Sequence, residues 1–154
     1  MTTASALTLN PLTDAEFEVF LAHSITSFAA SIGPARDLTP EDAARAAKED
    51  FARILPDGRR TAGHLFWAAQ DGSATIGHLW INTDPKPFVF GVEVDEQHRG
   101  KGYGRAIMLA CEDECRRLGH RTIDLNVFGL NTTAINLYTS LGYTVTSQQM
   151  RKIL

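Results

Sequence analysis

A chain of 154 residues is the size of one ordinary domain and long enough to bury a core without metal or disulfide staples. With 44% hydrophobic and 21% charged residues it reads as globular, which excludes disorder, collagen-like repeats and a cysteine-stapled mini-protein. A net charge of −3 leaves no global basic field for nucleic acid. A single domain over residues 1–154 is expected. No apolar run approaches the ~20 residues of a membrane-spanning helix. Met1–Pro11 lacks the basic-then-apolar texture of a secretory signal, so a cytoplasmic, reduced protein is expected.

Asp14 is placed to cap a first helix carrying Phe17, Phe20, Leu21, Ser24, Phe28 and Ile32 at spacings near 3.6, broken at Gly33-Pro34. Thr39-Pro40-Glu41-Asp42 then supplies a cap, a proline at the first helical position and acidic residues at the positive end of the dipole. The second helix sets Ala44, Ala47, Phe51 and Ile54 on one stripe and ends at Pro56-Asp57-Gly58. From His64 the period changes to two: His64–Gln70 and Thr75–Asn82 form a hairpin about Asp71-Gly72. After a turn at Thr83–Pro87, Phe88–Val94 is a strand buried on both sides. Phe88, Phe90, Val92 and Val94 lie on one face, with Val89, Gly91 and Glu93 on the other. A glycine-rich bend opens a helix over Tyr103–Leu118, stopped by Gly119. Arg121–Phe128 is a strand, Asn131–Leu141 a helix stopped by Gly142, and Tyr143–Leu154 supplies one or two final strands. Hairpins make antiparallel pairs and strand-helix-strand units parallel ones, so the sheet is mixed.

The bend, Gln97-His98-Arg99-Gly100-Lys101-Gly102-Tyr103-Gly104-Arg105, follows a strand and opens a helix. Glycines in alternation let backbone amides approach one point, and the orphan N–H groups of a helix start attract phosphate. Arg99, Lys101 and Arg105 add positive charge in an acidic protein, so a pyrophosphate is the natural guest. The Walker A pattern is absent, and the dinucleotide fingerprint G-x-G-x-x-G fails after Gly104. A glycine turn with no ligand is the remaining alternative.

Gln97-x-x-Gly100-x-Gly102 after Val92-Glu93-Val94 resembles the acetyl-CoA pyrophosphate loop of the GNAT acetyltransferase superfamily. Leu125-Asn126-Val127, then Asn131, Ala134, Leu137-Tyr138 and Leu141-Gly142-Tyr143, resembles the family's segment beside the thioester. The match covers about residues 88–144. The resemblance implies an α/β (α+β) single-domain fold: a mixed, mostly antiparallel sheet of six to seven strands with a splayed parallel central pair and about four helices. It implies an acetyl-CoA donor, a primary amine acceptor (small molecule, amino acid or peptide) and direct transfer without an acyl-enzyme. It involves neither nucleic acid nor membrane and admits a homodimer. A non-catalytic acetyl-CoA-binding regulatory module is the alternative.

By the same resemblance, Val92 and Val94 line the splay and Val94 offers its amide and carbonyl to the pantetheine arm. Gln97, Arg99, Gly100, Lys101, Gly102, Tyr103, Gly104 and Arg105 cradle the pyrophosphate, while Asn131, Ala134 and Tyr138 lie near the arm and sulfur. Tyr138 is the candidate proton donor to the departing thiolate, against a core tyrosine in the stripe of Ala134, Leu137 and Leu141. Glu93, a carboxylate in the middle of an apolar strand, is the candidate base, against a structural ion pair. Some relatives, the ribosomal-protein N-terminal alanine acetyltransferases, carry a glutamate where Asn126 stands; an amide cannot accept that proton, so Asn126 orients substrate or water instead. Cys111 and Cys115 read as core thiols, and the five histidines form no ligand-spaced cluster, so no metal is expected. Phe28, Trp67, Trp80 and Phe90 are core residues with a subsidiary reading as an acceptor pocket.

Overall fold

A computed structural model describes residues 7–154; the part of the leader reading that falls on residues 1–6 lies outside them. Strand β1 (Thr8–Pro11) leads into helix α1 (Asp14–Arg36), which is followed by α2 (Pro40–Ile54). Strands β2 (His64–Asp71), β3 (Ala74–Asn82) and β4 (Phe88–Val94) come next, then α3 (Tyr103–Arg117), β5 (Asp124–Leu125) and α4 (Thr132–Ser140). The described sheet has five strands in the order β1-β2-β3-β4-β5. All neighbours are antiparallel except β4 and β5, which are parallel.

Helix α1 starts one residue earlier than the sequence suggests. Thr13, not Asp14, is the cap: its Oγ1 accepts from Glu16 N–H while Glu16 reaches back to Thr13 N–H at 2.8 Å. Such a cap stabilises by roughly 1 kcal/mol. The helix also runs through Gly33-Pro34 to Arg36: Pro34 forgoes its own N–H bond, and the turn still closes through Asp37 N–H on the Gly33 carbonyl. In α2 the Thr39 cap and Pro40 stand as expected, but Ala43, not Ala44, is buried beside Ala47 and Phe51.

The sheet is covered on both sides. Helices α1 and α2 press Phe17, Phe20 and Phe51 onto Phe66, Ala68 and Trp80. Helix α3 presses Ile107, Met108, Cys111 and Cys115 onto Trp67, Ala69, Ile76, Leu79, Ile81 and Val89. The hairpin turns where Asp71-Gly72 predicts, with Asp71 facing Ala74. Strand β1 carries too little apolar alternation to be read from its sequence, and its Pro11 is tolerated because the strand lies at the sheet edge.

Three expectations about the second half are corrected. Strand β4 does not alternate evenly: Trp80 faces Gly91 and Ile81 faces Val89, so Phe90 is an extra residue in a β-bulge. Val89, Val92 and Val94 therefore pack on the α3 side while Phe90 packs with the α1 cluster. Only Val89 of this strand is fully buried. Strand β5 covers two residues rather than Arg121–Phe128, pairing Phe88 with Asp124 and Val89 with Leu125 and then leaving β4. Tyr143–Leu154 forms no strand, so the described sheet has five strands instead of six to seven.

Candidate functional site

Beyond Val89 the parallel strands part, and the outer edge of β4 lies open. Asp95 N–H donates to the Ile76 carbonyl at 2.9 Å. By the alternation of an antiparallel ladder, Val94 and Val92 turn their own N–H and C=O groups away from β3, into that gap. The Val94 carbonyl accepts from Arg99 Nε there at 3.0 Å.

The gap leads to the bend. Gln97 lies in a single 3₁₀ turn, Glu96–His98, and its carbonyl accepts from Lys101 Nζ at 3.2 Å. Gly100 and Gly102 have φ of 75° and 85°, and Gly102 caps α3 without a side chain. A Cβ on either would meet nothing within 4 Å, so their backbone faces open space. Gly104 has another reason to be glycine: a Cβ there would come within 3.3 Å of Leu137 on α4. Arg99, Lys101 and Arg105 are exposed, and among the described residues none lies within 4.0 Å of a carboxylate. Arg105 donates to Ser140 Oγ at 2.5 Å, which ties the bend to α4. Positive-φ amides, a helix N-terminus and three unneutralised cations form an anion cradle. Tyr103 stands apart: its hydroxyl donates to Asp71 at 2.7 Å, leaving its backbone as the part that faces the bend.

Helix α4 brings the second motif alongside. Asn131 caps it, accepting from Ala134 N–H at 3.1 Å. Tyr138 is half-buried with Leu137 and Leu141 against the α3 core, its ring 5.8 Å from that of Tyr143. Burial first, then the neighbouring Cys111, pushes its phenol above the ordinary range, so it stays protonated at any physiological pH. Asn126 is exposed just past β5.

Glu93 lies on the other face of β4, opposite His78 and toward α1. It is half-buried rather than enclosed, and its Oε1 lies 2.5 Å from His23 Nε2. Ser27 Oγ is 3.4 Å from the same nitrogen. His23 was missed by the sequence reading. It falls three residues after Phe20 on a helix, and nothing local points across seventy residues to a strand. Glu93 and Tyr138 thus flank β4 from opposite faces and share no contact among the described residues.

The aromatic side chains divide by face. Trp67 lies in the α3-side core and Trp80 in the α1-side core, its indole donating to His64 Nδ1 at 2.9 Å. Phe28 and Phe90 are half-buried, and the Phe28 ring lies 6.4 Å from Phe128 after β5. Cys111 is buried, and its hydrogen bond with Cys115, together with that burial, pushes its thiol up, away from the nucleophilic thiolate. Among the described residues no three His, Cys, Asp or Glu converge as a metal site, and no helix is long and apolar enough to cross a membrane.

A mixed sheet whose parallel pair opens onto a glycine-and-cation turn defines the coenzyme-A-type acyltransferase fold. The chain belongs to the Acetyltransferase (GNAT) family, whose sequence profile matches residues 32–143. The uncharacterized N-acetyltransferase YdgE of Bacillus subtilis is 32% identical over 155 residues, covering 97% of this chain and 99% of its own. The crystal structure of YycN, also from Bacillus subtilis, superposes with a TM-score of 0.92 at 31% identity, over 96% of this chain and 98% of that one. The structure of AAC(6')-Iy, bound to a bisubstrate analogue of CoA and acetylneamine, covers 96% of this chain and 97% of its own. Its TM-score of 0.58 at 15% identity is a likeness of fold alone.

Proposed function

We propose that this chain, acting as one domain, moves an acetyl group from acetyl-CoA to a primary amine by direct attack on the thioester. The observation that carries the reading is the open edge of β4 at Val92 and Val94 running into the anion cradle. The residues fit the donor: Gly100 and Gly102 leave their amides uncovered, and Arg99, Lys101 and Arg105 have no carboxylate of their own to neutralise. When bound, acetyl-CoA supplies an electrophilic carbonyl and a thiolate leaving group.

The remaining steps belong to the protein. The amides of Gly100–Arg105, with Gln97 beside them, hold the pyrophosphate, and the Val92 and Val94 backbone aligns the pantetheine arm as an added strand. Arg99 exchanges its bond to the Val94 carbonyl for phosphate as the arm takes that carbonyl. Glu93 accepts the proton of the incoming ammonium, and His23 fixes the carboxylate that does so. Tyr138 gives its phenolic proton to the thiolate from the opposite face, with Asn131 and Ala134 shaping the start of its helix. Asn126, exposed beside the gap, orients the acceptor. A carboxylate–imidazole pair on the acceptor side favours turnover over a silent binding module. The two free, buried thiols suit a reducing compartment such as the cytoplasm.

A panel of small amines, amino acids and peptide amines, with free thiol followed after adding acetyl-CoA, tests the reading. Thiol release that depends on one amine class is expected. Tight acetyl-CoA binding with no release across the panel would favour the non-catalytic alternative.

A further inference from the structure

On the α1 face of the sheet the aromatic rings form a continuous row that the fold leaves partly uncovered. From Phe128 the ring centres pass to Phe28 at 6.4 Å, to Phe51 at 5.7 Å and to Trp80 at 5.5 Å. The row continues to Phe90 at 4.7 Å and ends at Phe88, a further 4.9 Å on. Phe51 and Trp80 in the middle are buried, whereas the four rings at the two ends are half-buried. A buried floor between half-open rings is a trough, and aromatic surface left open in this way suits an apolar ligand.

The trough runs toward the Glu93–His23 pair. Val92 turns to the α3 side, so Gly91 is the one β4 residue between Phe90 and Glu93 on this face. A Cβ on Gly91 would come no closer than 4.0 Å to Trp80, which leaves the lane from ring to carboxylate clear. Glu93 lies three residues past Phe90, about 10 Å of strand, and His23 five residues before Phe28, about 7.5 Å of helix. An ammonium hydrogen-bonded to Glu93 and joined to a ring by two carbons fits that spacing. The charge at the Phe28 end is already matched: Arg36 lies 5.7 Å over that ring and donates to Asp50 at 3.0 Å. A second ammonium therefore finds no free carboxylate there. An α-carboxylate would lie beside Glu93, like charge against like, with Arg36 thirteen residues beyond His23, about 20 Å along α1.

We infer that the acceptor is a small primary amine carried on an aromatic ring by a short saturated spacer, without a carboxylate beside the amine, and that Phe28, Phe90 and Gly91 select it. The inference rests on the reaction proposed above and names its substrate class. The ring enters the trough and stacks on Phe90, while the nitrogen stays at Glu93. The amine gives its proton to Glu93, its nitrogen bonds the acetyl carbon as the carbon–sulfur bond breaks, and the thiolate takes the Tyr138 proton.

Thiol release on the full chain with saturating acetyl-CoA tests it. The kcat/KM for phenethylamine should exceed that for ethylamine by ~10²-fold, the scale of burying one ring, with phenylalanine and spermidine as poor as ethylamine. Phe28→Leu with Phe90→Leu should cut the phenethylamine value by ~10-fold, through KM, and leave ethylamine nearly unchanged. Gly91→Val, which fills the lane with little to clash against, should raise the phenethylamine KM in the same way. Melting temperature and protection by acetyl-CoA report that fold and donor site persist in each variant. Ethylamine turned over as well as phenethylamine, a preference for phenylalanine or spermidine, or equal losses for both amines in the variants would overturn the inference and leave the reaction standing. Thiol release with none of these amines would sink the reaction, and calorimetric titration of phenethylamine into the CoA-bound protein then decides on the trough. Binding that Gly91→Val weakens would support it; no binding would overturn it.

Discussion

Gly77 on β3 controls how closely β4 approaches at Glu93. A Cβ there would fall 2.1 Å from the Glu93 carbonyl oxygen and 3.1 Å from Val94 Cα, more than 1 Å inside ordinary contact with the first. Both are backbone atoms, so no side chain can swing away and the strands themselves must part. Overpacking of this kind costs about 1–3 kcal/mol, here toward the upper end. Alanine recovers about 0.5–1 kcal/mol through its smaller entropy loss in a strand. A net destabilisation of about 2 kcal/mol is expected for Gly77→Ala, or roughly 4–8 °C in Tm for a chain of this size. Gly91→Ala on the neighbouring strand is the matched control, since its Cβ would come no closer than 4.0 Å to Trp80. It should be neutral or slightly stabilising. Thermal unfolding of both variants measures the difference, and turnover of the still-folded Gly77→Ala should fall further than stability alone explains. Equal melting temperatures for the two alanines would refute the packing argument.

Three more outcomes bear on the site. Gly102→Asp should abolish the thermal protection by acetyl-CoA, about 2.7 kcal/mol at a hundredfold excess over Kd, by strain at φ 85° and by a carboxylate in the cradle; unchanged protection would contradict the cradle. Glu93→Gln should slow turnover by ~10²-fold while donor affinity holds, and His23→Gln should cost less because it removes only the support; a fully active Glu93→Gln would leave the pair structural. Tyr138→Phe should slow the chemical step by ~10²-fold with the fold intact, and the loss should shrink with an acyl donor whose thiol has a low pKa. Because the phenol is held above its ordinary range, the native rate should not fall on the alkaline side below about pH 10 through this group.

Much of the binding half could be read from the chain because its signals are local. The bend carries its own geometry: glycines where φ is positive, cations beside them, a helix directly after. The Asn131 cap and the Gly142 stop likewise depend on a few neighbouring residues. What escaped depends on pairing between distant segments. The bulge at Phe90 has no signature in Phe88–Val94, since period two looks unbroken until β3 is laid beside it. The partner of Glu93 sits on α1 among residues that, read alone, form one helical stripe. Strand β5 and residues 144–154 have strand-like sequences, but a strand exists only where it pairs with an edge: β5 pairs over two residues and 144–154 over none.

The bulge also makes β4 a counting device. Phe90 is the residue that lets Val89 and Val92 share a face while Glu93 takes the other. Ironing the bulge out without shortening the chain would restore even alternation and roll everything beyond it over. The Glu93 carboxylate would then point at Ile107 and Met108, both fully enclosed, and two valines would face α1 in its place. Deleting Phe90 itself would instead leave a regular ladder, with Val89, Val92 and Glu93 on their present faces. Lineages sharing this site should therefore either keep the extra residue with its bulge or lose both together, and the carboxylate should hold the same side of the sheet in each.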